Sequence, residues 1–382
     1  CREADVPVAA ARSLALALGR DRPATVLVGW GMTRRANGAT IVRALDALGA
    51  ITGNVGVPGA GVSFYHQRRA AFRSPEPAGP PPRRIPEPLF GRAVLQATDP
   101  PIRAIWITAG NPVASLPDST SVAAALDQTE LVVVVDSFLT DTAEHADVVL
   151  PTTTLLEDDD LLGAYGHPYL AASTPALPPP PTVRSDLRIL VDLAERMGLD
   201  SVIDGDPRAW KQRMIAGLQP DEITLEQLEA GTVRRPGAPR IVFEGRRFET
   251  HSGRVQLMTT LDAPPATAPP SDRPLWLISV SVAEAQCTQW IEVPQGPIPV
   301  TIHPDAPGAL PDGTIARLSS AVGAIEVRLV HDRRQRTDVA LIPKGGHVRR
   351  GQAANLLIGA RLTDLGTGGD LHGEAVRIEP LG

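Results

Sequence analysis

The stretch VLVGWGMTRRANG, residues 26–38, reads as a buried strand that runs into a glycine turn and then toward a helix. Residues 25–28 are apolar or β-branched, and Gly29-Trp30-Gly31 stands where a dinucleotide-binding fold sets its phosphate-contacting glycines. The third glycine of G-x-G-x-x-G is replaced by Arg34, and no strand-end acid follows about 20 residues on, because Asp46 lies inside the next helical stretch. A nicotinamide dinucleotide is therefore a poor fit. A strand leading into small residues and a helix still presents free backbone N–H groups and a helix N-terminus, which favour a phosphate or another anion. The plain alternative is a turn that uses glycine for its geometry alone.

Outward from this turn the chain alternates. Residues 6–20 carry apolar positions at helical spacing, and 38–48 do the same through Ile41, Val42, Leu45 and Leu48 before the turn-forming run at 52–59. Strands are predicted at 102–108, 131–135 and 147–151, and helices at 120–126 and 185–198. Unbroken β-branched strands between helices predict an α/β fold, a doubly wound, mostly parallel, Rossmann-like sheet over residues 1–198. Residues 74–88 hold seven prolines and read as a surface loop. Residues 199–272 form a helical excursion, polar over 200–232, followed by a Pro-rich linker with Pro264-Pro265. From 273 to 382 short strands between Gly, Pro and Asp turns, at 275–280, 315–318, 324–330 and 339–342, predict a β-barrel.

Composition narrows the function. The 382 residues are 43% hydrophobic and 21% charged, an ordinary globular balance for two or three domains. A net charge of −6 argues against a nucleic-acid partner, whose phosphates demand clustered Lys and Arg. Two cysteines, Cys1 and Cys287, are too few for a disulfide framework, a four-cysteine zinc site or an iron–sulfur cluster held by this chain. They point to a reducing, cytoplasmic compartment. No apolar run reaches the ~20 residues of a membrane span, and no signal peptide is visible. The start at Cys1 rather than Met predicts a fragment or a split subunit. Histidines 66, 145, 167, 251 and 303 are scattered singly, without H-E-x-x-H. Glu157-Asp158-Asp159-Asp160 lacks the alternate-position spacing of a calcium loop and reads as a solvated acidic turn.

In an open α/β sheet, ligands lie beyond the carboxyl ends of the strands. Three strand ends here carry polar or small residues: Gly29-Trp30-Gly31, Ala109-Gly110-Asn111-Pro112 and Asp136-Ser137. Asn111 can donate to and accept from a base or ribose, and Asp136 can accept from ribose hydroxyls or a guanine edge. Each alone could be a turn residue; together they outline a nucleotide-sized cleft.

These motifs in this order, with ALDALGAITGNVGVPGAG, WITAGNP, VVVVDSFLTDTAEHADVVLPTTTLLEDDD, FETHSGRVQL, TIHPDA and NLL, resemble the C-terminal half of molybdopterin oxidoreductases of the dimethyl sulfoxide reductase type, a group that includes formate dehydrogenases and nitrate reductases. The resemblance covers almost the whole chain. It implies a bis(molybdopterin guanine dinucleotide) molybdenum cofactor, with contacts at Trp30, Arg34, Asn111, Val135, Asp136, Asp158 and Asp186. It also implies a double-psi-like barrel, whose residues 279–288 form a pterin loop with donors at Ser279, Ser281, Gln286 and Thr288. Asn355 matches a pterin contact, and His347 and His372 fall at flanking positions or are exposed loop residues. The 4Fe-4S cluster and the metal-ligating side chain of such enzymes are expected on an N-terminal half or a companion subunit, and substrate and electron partners are small redox molecules and an electron-transfer subunit. The alternatives are a non-catalytic scaffold that kept the fold, as in the large iron–sulfur subunit of respiratory complex I, and a separate nucleotide-binding subunit.

Overall fold

The computed structural model describes residues 1–2, 4–63, 72, 83–164, 166–216, 218, 223–235, 237–259 and 268–381. Residues 74–82 of the proline-rich loop, His66, Pro264 and Pro265 lie outside them. In chain order the helices are α1 (Val8–Arg20), α2 (Gly38–Ile51), α3 (Phe90–Leu95), α4 (Pro112–Ser115), α5 (Ser119–Asp127), α6 (Asp186–Met197), α7 (Pro207–Ile215) and α8 (Leu225–Ala230). The strands preceding the barrel are β1 (Thr25–Leu27), β2 (Gly61–Ser63), β3 (Ala104–Thr108), β4 (Leu131–Asp136), β5 (Val148–Pro151), β6 (Leu161–Gly163), β7 (Tyr169–Ala172) and β8 (Val233–Arg234). They are followed by β9 (Leu275–Val280), β10 (Ala285–Gln286), β11 (Gln289–Trp290), β12 (Ile298–Ile302), β13 (Ile315–Ser319), β14 (Ala324–His331), β15 (Val339–Pro343) and β16 (Glu374–Pro380). The fold is mixed α/β, with parallel sheets and a closed six-stranded barrel. Among the described residues no helix is long and apolar enough to cross a membrane.

The chain divides into two compact units. The first comprises Cys1–Val28, Leu45–Pro82 and Leu150–Leu257. In it β1 pairs in parallel with β2, Thr25 opposite Gly61, and β6, β7 and β8 form an antiparallel sheet. Buried Asn54 ties this part together: its Oδ1 accepts from Ala24 N, and its Nδ2 donates to Leu18 O and to Thr52 Oγ1. Local signals set the helix ends. Ser185 caps α6 through Arg188 N, Asp206 caps α7 ahead of Pro207, and Thr224 with Gln227 forms a capping box on α8. Gly198, at φ +69, ends α6 in the left-handed conformation that suits glycine. Leu225 and Leu228 of α8 and Ile215 of α7 pack with Leu161 and Leu170 of the antiparallel sheet, so the polar helical excursion at 200–232 belongs with β6–β8.

The second unit comprises Gly29–Ala44, Arg83–Val149 and Met258–Gly382. Its parallel pair β3–β4 runs in register from Ala104–Leu131 to Thr108–Val135, with β5 next in order. Val132 and Val134 are fully buried and pack with Val113, Val122 and Leu126. The barrel has the order β12-β14-β13-β16-β9-β15 and closes where Thr301 meets Leu341. Its strands alternate as a barrel requires. Ile298, Val300 and Ile302 of β12, Leu275 and Leu277 of β9, and Val327 and Leu329 of β14 all point inward and are fully buried, each side chain contributing about 1.5–3 kcal/mol by leaving water. The barrel strands expected from the sequence are present within a residue or so. Strands β12 and β16 join those singled out from the sequence; Pro299 interrupts β12, and Glu374, Arg377 and Glu379 break the apolar run of β16.

Candidate functional site

β9 and β15 are parallel and leave the barrel at the same end, Val280 opposite Pro343, and β16 starts there, Glu374 opposite Leu277. Lys344 N donates to Val280 O at 2.8 Å and fixes the two exits together. At this end the backbone N–H groups of Leu371 and His372 both donate to Arg34 O, at 3.0 and 2.9 Å. His372 Nε2 lies 3.2 Å from Ser279 O; a carbonyl only accepts, so Nε2 carries the proton and Nδ1 is left as an acceptor. The Arg35 guanidinium reaches His372 O at 3.5 Å. Arg34 lies over Trp30, 6.0 Å from its ring centre, and Trp30 is half exposed.

Burial, and then the Arg35 charge, hold the His372 pKa below its ordinary 6.5, against the opposing bond to Ser279. A histidine kept neutral in the fold is protonated more readily in the unfolded chain. Stability is thus full above the unfolded pKa of about 6.5 and is lost as pH falls from there through the lower folded pKa. His372→Gln, which keeps an N–H for Ser279 O, is expected to flatten that slope in denaturation curves between about pH 7 and about pH 5; an unchanged slope would assign it to another group.

The opening turn departs from the expectation in one respect. Trp30–Thr33 is a single 3₁₀ turn, and α2 begins at Gly38 as its apolar spacing predicts. The α2 N-terminus, which the sequence offers to a phosphate, is taken by the chain's own Asp364: Ala39 N and Thr40 N each donate to its carboxylate at 2.9 Å, and Thr40 Oγ1 at 2.7 Å. An internal carboxylate answers the helix dipole, so the anion reading of that terminus is corrected.

Hydrogen bonds tie the strand-end loops to one another and to the segment that follows β15. Asn111 Oδ1 accepts from Thr142 N and Thr142 Oγ1, at 3.2 and 2.7 Å, and fully buried Thr142 in turn accepts from Val113 N. The backbone donor fixes the orientation of the amide, so Asn111 offers donors and not the acceptor expected of it. Asn355 Nδ2 donates to Ala114 O at 3.0 Å, which commits an amide hydrogen of that residue to the α4 turn. Buried Asp141 accepts from Arg349 N and from His347 Nδ1, both at 3.1 Å. Both His347 and His372 are thus partly buried and bonded, not exposed loop residues. Val135 O accepts from Ala109 N, which holds Ala109 at φ +50 just before Gly110 and Asn111. Asp136 Oδ1 accepts from Phe138 N in a tight local turn, beside the exposed side chains of Phe138 and Leu139.

The loop from Ser281 to Trp290 folds over the same barrel end. Ser281 and Gln286 are exposed and Thr288 half-buried, and none of their side chains bonds another described residue. Asp158 and Asp186 fall in the first unit. Asp186 accepts from Thr152 Oγ1 at 2.6 Å. Burial foremost raises the Asp158 pKa, with the neighbouring carboxylates of Asp160 and Asp186 adding to it against a bond from Asp159 N. The acidic run is not simply solvated as expected: Glu157 accepts from Thr154, and Asp159 pairs with Lys211, a buried lysine that needs a counter-charge. Among the described residues no group of three or more His, Cys, Asp or Glu could hold a metal ion.

Comparison with known proteins agrees with this fold. Residues 3–196, half of the chain, match the family model described as Molybdopterin oxidoreductase. The chain is 30% identical over 248 residues to the probable oxidoreductase YyaE of Bacillus subtilis, covering 63% of this chain and 37% of that protein. It is 29% identical over 221 residues to the dimethyl sulfoxide reductase DmsA of Haemophilus influenzae (51% and 27% of the two chains) and 29% identical over 228 residues to the biotin sulfoxide reductase of Cereibacter sphaeroides (54% and 30%). The matched stretch thus spans about a third of the length of these relatives. The acetylene hydratase from Pelobacter acetylenicus shares the fold, with a TM-score of 0.61 at 20% identity over 78% of this chain and 46% of that one. The chain belongs to the molybdopterin oxidoreductases of the dimethyl sulfoxide reductase family, oxidoreductases that work with a molybdenum–pterin cofactor.

Sequence reasoning missed Asp141, Thr142 and Asp364, which hold His347, Asn111 and α2 in place. Their signal was weak. Asp141-Thr142 lies in a stretch read only as part of a family motif, and Asp364 is separated from its partner Thr40 by 324 positions.

Proposed function

We propose that this chain forms the cofactor-holding portion of a molybdenum enzyme that binds bis(molybdopterin guanine dinucleotide), with the barrel end around His372 and Asn111 facing a pterin and its phosphate. The observation that carries the reading is a set of glycines that the chain itself does not need. Gly29, Gly31 and Gly110 have no positive φ, and a β-carbon on any of them would meet no described atom closer than 3.7 Å. Neither backbone strain nor internal packing requires glycine there, whereas the close approach of a ligand does. Unspent donors follow Gly110 on Asn111 and lie in the barrel-end loop on Ser281, Gln286 and Thr288, and the chain adds the cations of Arg34 and Lys344. Buried Trp290 Nε1 and Gln352 Oε1, in the loops of the same barrel, lack partners among the described residues and offer a donor and an acceptor. This donor set suits a heterocycle edge joined to a phosphate.

When bound, such a group supplies two-electron exchange at its metal. The chain's residues bind and orient it. The Arg34 guanidinium balances phosphate charge, neutral His372 adds no further positive charge beside Arg35 and presents Nδ1 as an acceptor, and Asp136 accepts from hydroxyl or amino groups. Val135 and Asp136 are proposed as contacts of the guanine nucleotide; Asp158 and Asp186 in the first unit are proposed as acceptors for the same class of ligand. Reading the parallel strands as parts of a Rossmann-like layer and the barrel as double-psi-like belongs to this proposal, as does a companion segment carrying an iron–sulfur cluster and the metal ligand. Relatives named for sulfoxides and an N-oxide favour removal of an oxygen atom from such a substrate over formate or nitrate chemistry.

The test is occupancy. In the protein produced with its natural partner segment, Arg34→Ala and Asp136→Ala are each expected to lower molybdenum and fluorescent oxidised pterin per protein about tenfold, the equivalent of one lost charge-assisted hydrogen bond. Unchanged content of both would sink the assignment, and a scaffold without cofactor would yield neither from the unaltered protein.

A further inference from the structure

A second cavity lies within the first unit, at the C-terminal ends of α1 and α2, and takes no part in the reading above. It holds about 590 Å³ and is walled by Ile51, Val55, Phe248 and Val255. Two arginines, Arg22 and Arg246, line it. A β-carbon on Gly53 would lie 2.6 Å from Arg22 Nη1 and 4.0 Å from Arg246 Nη2, so both cationic ends share the space over one glycine at φ +75. Neither is ion-paired with a carboxylate among the described residues. Arg22 Nη1 reaches Thr52 O only at 3.5 Å, the weak limit of a hydrogen bond.

Helix capping does not account for the pair. Ala17 O and Leu18 O at the end of α1 accept from Asp21 N and Asn54 Nδ2, and Leu48 O, Gly49 O and Ala50 O at the end of α2 accept from Thr52 N, Asn54 N and Gly53 N. Nor is Arg246 loosely hung. The segment before it is pressed against Gly56, at φ +76, whose β-carbon would fall 2.3 Å from Phe243 O. Two like charges are therefore held together without a carboxylate partner among the described residues, beside an aromatic and aliphatic wall.

We propose that this cavity binds a small organic monoanion, its carboxylate engaging Arg22 and Arg246 and its apolar body lying against Phe248 and Val255. A single negative charge is the fitting number, because the C-terminal ends of two helices already offset part of the arginines' charge.

Calorimetric titration of the full chain with benzoate, and with benzamide as its neutral isostere, tests this. Saturable benzoate binding is expected in the millimolar range or tighter, with benzamide at least about tenfold weaker, and Arg22→Gln and Arg246→Gln each weakening benzoate about tenfold. No benzoate binding up to about 10 mM, equal binding of benzamide, or variants that bind benzoate as the unaltered chain does would each overturn the proposal. The benzoate–benzamide comparison needs no variant, so it stands whether or not the substituted chains fold.

Discussion

Replacing Arg361 by methionine is expected to lower the unfolding free energy of the barrel-containing unit by about 3 kcal/mol. Arg361 Nε lies 3.2 Å from Asp370 Oδ2 and its Nη1 lies 2.9 Å from Glu374 Oε2, and both carboxylates are about 95% shielded from water. Burial works against the guanidinium charge, but Glu374 and then Asp370 more than compensate and raise its pKa above the ordinary arginine value. Removing the cation leaves two buried carboxylates without their counter-charge. Glu374 keeps a bond from Gly359 N, whereas Asp370 Oδ1 already lacks a partner among the described residues. Breaking a buried ion pair costs about 3–5 kcal/mol; the lower figure is used because the Arg361 side chain is 41% exposed and water screens part of the interaction. Urea denaturation measures the effect. Adding Asp370→Asn and Glu374→Gln to the Arg361→Met chain should restore most of the loss, since no buried charge then remains. A single variant that unfolds at the unaltered midpoint would show that these carboxylates are hydrated in solution.

The same cluster explains what the sequence concealed. Glu374, Arg377 and Glu379 interrupt the apolar run of β16, and buried Glu374 meets Arg361, whose position 13 residues earlier gives no sign of the pairing. Elements whose buried face follows a simple period were legible: Leu131–Val135 as a continuous apolar run ended by Asp136, and Ala324–His331 with alternate residues buried from Ile325 to Leu329. Helix α6 was legible from Ser185 at one end and Gly198 at the other. The two-residue strands β8, β10 and β11 are too short to carry any period and exist only through their partners. For the candidate site, residue types and their strand-end positions could be read, but their allocation could not. The sequence shows that Asn111 has an acceptor and donors; only the fold shows that Thr142 consumes the acceptor, and that Asp364 occupies a helix terminus that looked available.

Gly345→Ala should cost about 2–5 kcal/mol and reach the candidate site directly. Two penalties combine. Gly345 sits at φ +82, where a side chain costs about 1–2 kcal/mol. Its new β-carbon would also lie 2.1 Å from Cys287 O and 3.2 Å from Thr288 Cα, backbone atoms that cannot rotate away, and such overpacking adds about 1–3 kcal/mol. Cys287 is itself held at φ +56, so the loop has little freedom to yield without losing the conformation that presents Gln286 and Thr288. Gly313→Ala separates the two penalties. Gly313 has a similar φ of +79 but nothing within 4 Å of a β-carbon, so it should lose only the conformational part, about 1–2 kcal/mol. The difference between the two denaturation midpoints then measures how firmly residues 285–288 are pressed onto the barrel. Displacement of that loop should also alter the reaction rate of the exposed Cys287 thiol with a maleimide, read by peptide mapping to keep it apart from Cys1. If Gly345→Ala costs no more than Gly313→Ala and leaves that rate unchanged, the loop is not seated against Gly345 in solution, and Gln286 and Thr288 lose their claim to a fixed place at the barrel end.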